Sequence, residues 1–138
     1  MLGDIDDEVV TAFGRLLPQL SRSAAPLTSS DIAALSESPA TTVLLARCEG
    51  TIAGMLTLVM FRLPTGLRAR IEDVVVDEEF RGRGAGEDLS REAVRIAREA
   101  GARNVDLTSR PSRAAAGRLY ERIGFRQRES RVYRYEFD

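Results

Sequence analysis

The chain of 138 residues contains no lysine, no histidine and no tryptophan, and its only cysteine is Cys48. Each absence removes a class of chemistry. Without histidine there is no imidazole base, so a Ser-His-Asp hydrolase is excluded, and a zinc site lacks its usual nitrogen ligand. No metal is expected. Without lysine, the Gly-Lys-Ser/Thr ending of a Walker loop cannot be assembled. Cys48 cannot close an internal disulfide, which fits a reducing cytoplasm, and beside a turn it reads as inert. No run of about 18 apolar residues could span a bilayer. The opening M-L-G-D-I-D-D is acidic, without the basic-then-apolar order of a secretory signal. The expected location is cytoplasmic, with no membrane partner.

All basic side chains are arginines, as a GC-rich genome would favour, and the formal net charge is −1. Bulk electrostatics therefore give no reason to expect nucleic acid as a partner. Hydrophobic content of 43% against 30% charged is that of a chain that folds rather than stays disordered. The length suits one domain over residues 1–138.

Periodicity predicts a helix over Asp6–Leu20, with Val9, Val10, Phe13, Leu16 and Leu17 on one side. A Ser-, Ala- and Pro-rich loop follows over Ser21–Ser30, and Ser29 or Ser30 is expected to cap a short helix through Leu35. The β-branched and apolar runs Thr42–Arg47 and Thr51–Phe61 flank Glu49-Gly50 and predict a hairpin, with Arg68–Val76 as a third antiparallel strand. A helix from Gly84 to Ala100 has Leu89, Ala93, Ile96 and Ala100 on one face and Gly101 as its stop. A strand over Asn104–Thr108 completes a strand–helix–strand crossover. A last helix runs from Pro111-Ser112 to Gly124, and Phe125–Gln127 with Arg131–Phe137 should form terminal antiparallel strands.

The densest signal lies where the third strand ends. I-E-D-V-V-V-D-E-E-F-R-G-R-G-A-G-E-D-L, Ile71–Leu89, is an apolar strand running through a glycine–arginine loop into a helix. Glycines permit a tight turn and leave its N–H groups bare in front of the positive end of the helix dipole, a site for phosphate or pyrophosphate. The spacing is not the dinucleotide fingerprint G-x-G-x-x-G, because counting from Gly82 the third glycine position is Glu87.

What remains is Arg81-x-x-Gly84-x-Gly86, which resembles the coenzyme A pyrophosphate loop of the GNAT superfamily of acyl-CoA N-acyltransferases. A second segment, S-R-A-A-A-G-R-L-Y-E-R-I-G-F over Ser112–Phe125, resembles the closing helix of that family, N-x-x-A-x-x-L-Y-x-x-x-G-F. Ala116, Leu119, Tyr120, Gly124 and Phe125 match, and Arg113 stands in place of the usual asparagine. The two segments cover roughly the C-terminal half of the chain. The resemblance implies an α/β (α+β) GNAT fold, a mixed and mostly antiparallel sheet flanked by helices. The family's opening strand is short or missing here, which would leave a sheet edge loosely covered or buried in a homodimer.

It also implies site residues. The loop amides of Arg81, Gly82, Arg83, Gly84, Ala85 and Gly86 would hold the coenzyme pyrophosphate, with Arg113 reaching a phosphate. Main-chain groups of the strand Val74-Val75-Val76, at Val74 and Val76, would pair with the extended pantetheine as an added strand. Tyr120 would donate a proton to the departing thiolate, the alternative being a buried aromatic that closes the helix against the sheet. Glu72 is the candidate base for the attacking amine, with a substrate anchor or a solvated charge as alternatives, and Asp73 is a second substrate contact. I-E-D-V-V-V resembles the matching strand of glucosamine-6-phosphate N-acetyltransferases, where the acidic pair contacts substrate. Adjacent strand residues point to opposite faces, so at most one of Glu72 and Asp73 looks into the acceptor site unless a bulge intervenes. The implied activity is transfer of acetyl from acetyl-CoA to a primary amine. An acyl-CoA-binding module without turnover, or an unrelated binder of phosphate ligands, remain open as alternatives.

Overall fold

The computed structural model describes residues 6–21, 23, 25–109 and 114–137. Its residues gather into two compact units, Met1–Thr108 and Ser109–Asp138.

In the first unit, helix α1 (Asp7–Leu20) starts where the Asp6 carboxylate accepts from the Val9 N–H at 3.0 Å, and it buries Val9, Ala12, Phe13 and Leu16. These recur at intervals of three, one and three, a single stripe. Helix α2 (Ser29–Glu37) is capped by Thr28, not by Ser29 or Ser30. The reason is reciprocity: Thr28 Oγ1 accepts from the Asp31 N–H at 3.1 Å while the Asp31 carboxylate accepts from the Thr28 N–H at 2.9 Å. Only Thr28 has an acid three residues on.

Strands β1 (Thr41–Cys48), β2 (Thr51–Leu63) and β3 (Gly66–Val76) form an antiparallel meander, and β4 (Val105–Asp106) joins β3 in parallel, giving the order β1-β2-β3-β4. Glu49 and Gly50 both have positive φ (52° and 82°), the backbone of a two-residue type I′ hairpin turn. Among the described residues no strand precedes α1.

Met55 and Val75, paired across β2 and β3, lie in one core cluster with Val9, Phe13, Leu16 and Ile32 of α1 and α2. Gly54, the next residue along β2, faces the other way, since successive strand residues alternate. A Cβ there would meet Leu89 Cδ1 of helix α3 (Ala85–Glu99) at 3.4 Å. Hence α3 covers the opposite face of the sheet, burying Leu89, Ala93 and Ala97.

The second unit contains helix α4 (Ala114–Ile123), followed by Gly124 at φ 114°. Its terminal segment departs from expectation: neither Phe125–Gln127 nor Arg131–Phe137 forms a strand. The alternation of Tyr133, Tyr135 and Phe137 suits a strand, but a strand exists only with a ladder partner, and none pairs with it among the described residues.

Candidate active site

The β3 edge changes character halfway along. Near its start it is paired: Leu67 O accepts from the Arg103 N–H (2.9 Å), and the Ala69 N–H donates to Asn104 O (3.2 Å). The parallel ladder with β4 covers only Ala69–Val105 and Arg70–Asp106. Beyond it, this edge of β3 has no ladder partner among the described residues.

A bulge re-aims the strand at that point. Met55 pairs with Val75 but Thr57 pairs with Glu72, so one residue of β3 is extra, and Asp73 takes φ 50°. Past the bulge the Asp77 N–H donates back to Ala53 O in β2 at 2.7 Å. By alternation Val75 also faces β2, while Val74 and Val76 direct their N–H and C=O groups to the open edge. A bulge at Asp73 therefore interrupts the strict alternation that would put the adjacent acids on opposite faces.

Glu72 and Asp73 have different surroundings. The Glu72 carboxylate is paired with Arg70 Nε at 3.0 Å, and Arg70 Nη2 also donates to Thr108 Oγ1 at 3.1 Å. The Asp73 carboxylate has no ion pair or hydrogen bond among the described residues; although the residue is exposed, partial desolvation first and the Glu72 charge second push the carboxyl above the ordinary value of 3.8.

The loop that follows divides sharply. From Asp77 to Arg81 every backbone N–H has a protein acceptor: Ala53 O for Asp77, Gln19 Oε1 for Glu78, Asp77 Oδ1 for Glu79, Asp77 O for Phe80 and, at a longer 3.5 Å, Glu78 O for Arg81. From Gly82 through Gly86 no N–H has a partner among the described residues. Gly82 and Gly84 both sit at positive φ (84° and 83°), and Gly84 begins α3 with no side-chain cap. Left-handed backbone costs a residue with a Cβ roughly 1–2 kcal/mol, so glycine is what this turn requires. Arg81 and Arg83 are exposed beside these amides. Arg83 Nη1 contacts Glu49 at 3.1 Å and its guanidinium lies over the Phe80 ring at 5.3 Å, whereas Arg81 has no ion pair among the described residues.

Tyr120 lies in α4 of the second unit, where its ring meets Phe125 edge-on at 5.8 Å and its carbonyl accepts from the Phe125 N–H at 2.9 Å. Arg113 lies outside the described residues. No cluster of three metal-ligating side chains occurs among the described residues.

Three residues were not picked out from the sequence. Asp77, 4% exposed, accepts from Arg15 Nε at 2.9 Å and from Gln19 Nε2 at 3.5 Å, and Arg15 Nη2 also donates to Ile52 O. Burial pushes the Asp77 carboxyl up, but the bonds from the Glu79 N–H, Arg15 and Gln19, with the Arg15 charge, outweigh it and hold the group below its ordinary value. The available signal was Arg15-x-x-x-Gln19, a polar pair one helical turn apart beside the apolar stripe of α1.

Comparison with known proteins shows the family and the fold. Residues 7–125 match the acetyltransferase (GNAT) family. An uncharacterized N-acetyltransferase of Methanocaldococcus jannaschii is 38% identical over 61 residues, 44% of this chain, which spans about a quarter (27%) of that relative's length. Among solved structures, a candidate acetyltransferase from Agrobacterium tumefaciens superposes with a TM-score of 0.81 at 27% identity, covering 91% of each chain. An acetyltransferase of Trypanosoma brucei gives 0.77 at 28% identity over 97% of each. Glucosamine-6-phosphate N-acetyltransferase of Arabidopsis thaliana shares the fold at 22% identity, with a TM-score of 0.79 over 98% of this chain and 97% of that one.

Proposed function

Because the chain belongs to the acetyltransferase (GNAT) family, we propose that it moves acetyl from acetyl-CoA to a primary amine by direct attack in a ternary complex, without a metal. The observation that carries this reading is the run of unpartnered N–H groups from Gly82 to Gly86 at the start of α3. Such a run suits a pyrophosphate, with Arg81 and Arg83 adding charge and Arg113 a further phosphate contact. The open edge at Val74 and Val76, either side of buried Val75, supplies donors and acceptors for the amides of pantetheine.

The amine must lose a proton before or as its nitrogen bonds to the thioester carbon. We assign the proton-accepting role to Asp73 in preference to Glu72. Among the described residues Asp73 has no cationic partner, and its pKa is raised, while Glu72 is ion-paired with Arg70 and suits an anchor for the acceptor. The N–H of Val74 is the donor we place on the carbonyl oxygen as its negative charge develops. When the C–S bond breaks, Tyr120 gives its phenolic proton to the leaving thiolate. Sequence charge and patterning favour a cytoplasmic setting, with no nucleic-acid or membrane partner.

Two measurements test the reading. Saturating acetyl-CoA should raise the melting temperature of the parent, because a ligand selective for the folded state stabilises it. A panel of primary amines, followed by release of free thiol, should find an acceptor. An unchanged melting curve sinks the transferase reading. Binding with no thiol release from any amine favours the acyl-CoA-binding module instead.

A further inference from the structure

We propose that Arg15, Gln19 and Asp77 are positioning residues for acetyl-CoA, acting through the turn 77–81 to fix where the amides of Gly82–Gly86 point; this rests on the coenzyme reading of that loop. Satisfied N–H groups end at Arg81 and unsatisfied ones begin at Gly82. Side chains of the clamp supply two of the acceptors on the satisfied side, Gln19 Oε1 for Glu78 and Asp77 Oδ1 for Glu79.

The clamp is more than helix docking requires. Helix α1 is already seated by Val9, Phe13 and Leu16. Burying a carboxylate is unfavourable unless it is paired and hydrogen-bonded, so Asp77 would weaken a mere strand end. Here both its oxygens are used: Oδ2 accepts from Arg15 and Oδ1 from Glu79 and Gln19. Arg15 in turn spans two strand ends, donating to Asp77 at the end of β3 and to Ile52 at the start of β2. Its charge also offsets that of the Asp77 carboxylate, which lies only a few residues before the amides of Gly82–Gly86. Without these bonds the Glu78 and Glu79 N–H groups lose their acceptors, the turn relaxes, and the next amides lose their common aim.

Calorimetric titration with coenzyme A, beside melting curves without ligand, tests this. Gln19→Leu and Asp77→Asn should each weaken coenzyme binding on the order of tenfold, the weight of one lost charge-assisted or buried hydrogen bond. The double variant should be little worse than either, because the residues act as one unit. Arg15→Lys, which keeps the charge but loses the fork, should lie between the parent and Arg15→Ala. Arg47→Gln is the control for simple helix anchoring. It breaks the Arg47–Glu8 pair that ties the same helix to β1 and should leave coenzyme affinity unchanged. Folded Gln19→Leu and Asp77→Asn proteins that bind coenzyme A as tightly as the parent would overturn the proposal, as would an equal loss in Arg47→Gln. A parent that does not bind coenzyme A removes the loop reading and the clamp together, whereas parent-like binding in the variants removes the clamp alone.

Discussion

Asp73 is held where an L-residue is uncomfortable and where a carboxylate is discouraged from ionising. Its φ of 50° costs on the order of 1 kcal/mol for a residue with a Cβ, although aspartate and asparagine tolerate it better than most. Its folded pKa lies above 3.8, so its protonated form contributes stability that is complete below that value and is lost as pH rises through the folded pKa. At neutral pH the parent therefore carries a penalty that Asp73→Asn removes. We expect Asp73→Asn to melt higher than the parent at pH 7, with the difference vanishing in acid, and to lose acetyl transfer. Lower stability at pH 7, or full activity, would remove Asp73 from the role assigned to it. Asp77 has the opposite sign. Its folded pKa is lowered, so the stability of its clamp is present above 3.8 and lost as pH falls through the folded value. Tyr120→Phe should keep coenzyme affinity and cut turnover by on the order of 10²-fold, the usual weight of a positioned proton donor. Turnover equal to the parent would make the tyrosine structural and leave water as the proton source.

At the scale of elements, glycine serves two unlike purposes. Gly84 has open space where a Cβ would go but a backbone at φ 83°, whereas Gly54 has ordinary backbone and no space, with Val75 O at 2.9 Å and Val76 Cα at 3.5 Å from a built Cβ. Gly84→Ala should lower stability by roughly 1–2 kcal/mol through strain alone. Gly84→Val adds a branched side chain in front of the amides and should abolish the melting shift given by acetyl-CoA. Gly54→Ala should cost about 1–3 kcal/mol by pushing β3 and α3 off β2, without touching the loop. Urea unfolding, with and without ligand, separates the three. The loop and α3 were legible in the sequence because their determinants are local: two left-handed glycines and a helical apolar stripe. The meander was legible for the same reason, Glu49-Gly50 announcing its turn. The bulge at Asp73 was not, since it depends on the register against Thr57 and Met55, a pairing across strands. Nor was the Arg15–Asp77 bond, which joins residues 62 apart. Thr28 was overlooked as a cap because two serines closer to the apolar run satisfied the same local rule.

At the scale of the whole molecule, the unsettled feature is the terminal segment. Val132, Tyr133, Tyr135 and Phe137 are 73%, 88%, 84% and 90% exposed, far more apolar surface than single scattered side chains leave on a monomer. Tyr133, Tyr135 and Phe137 alternate with Arg134 and Glu136, so an extended backbone presents the three rings on one face. Tyr135 and Phe137 already contact each other, with centroids 5.5 Å apart. This is the pattern of a strand awaiting an edge, and the sheet offers one: β1 is an outer strand, and no strand before α1 covers it among the described residues. Charge favours a second copy as the partner. Ser109–Asp138 carries eight arginines against four acids, while Met1–Thr108 carries twelve against seventeen, so the basic unit of one chain complements the acidic unit of another. Closed two-fold pairing would satisfy two such segments at once. We therefore expect a homodimer in light scattering at micromolar concentration. Tyr135→Glu, which places a charge on the ring face, should shift it to monomer without changing the mass-normalised melting shift given by acetyl-CoA. A parent that scatters as a monomer at high micromolar concentration would refute the dimer and leave the exposed rings to another partner. A Tyr135→Glu variant that stays dimeric would move the interface away from this segment.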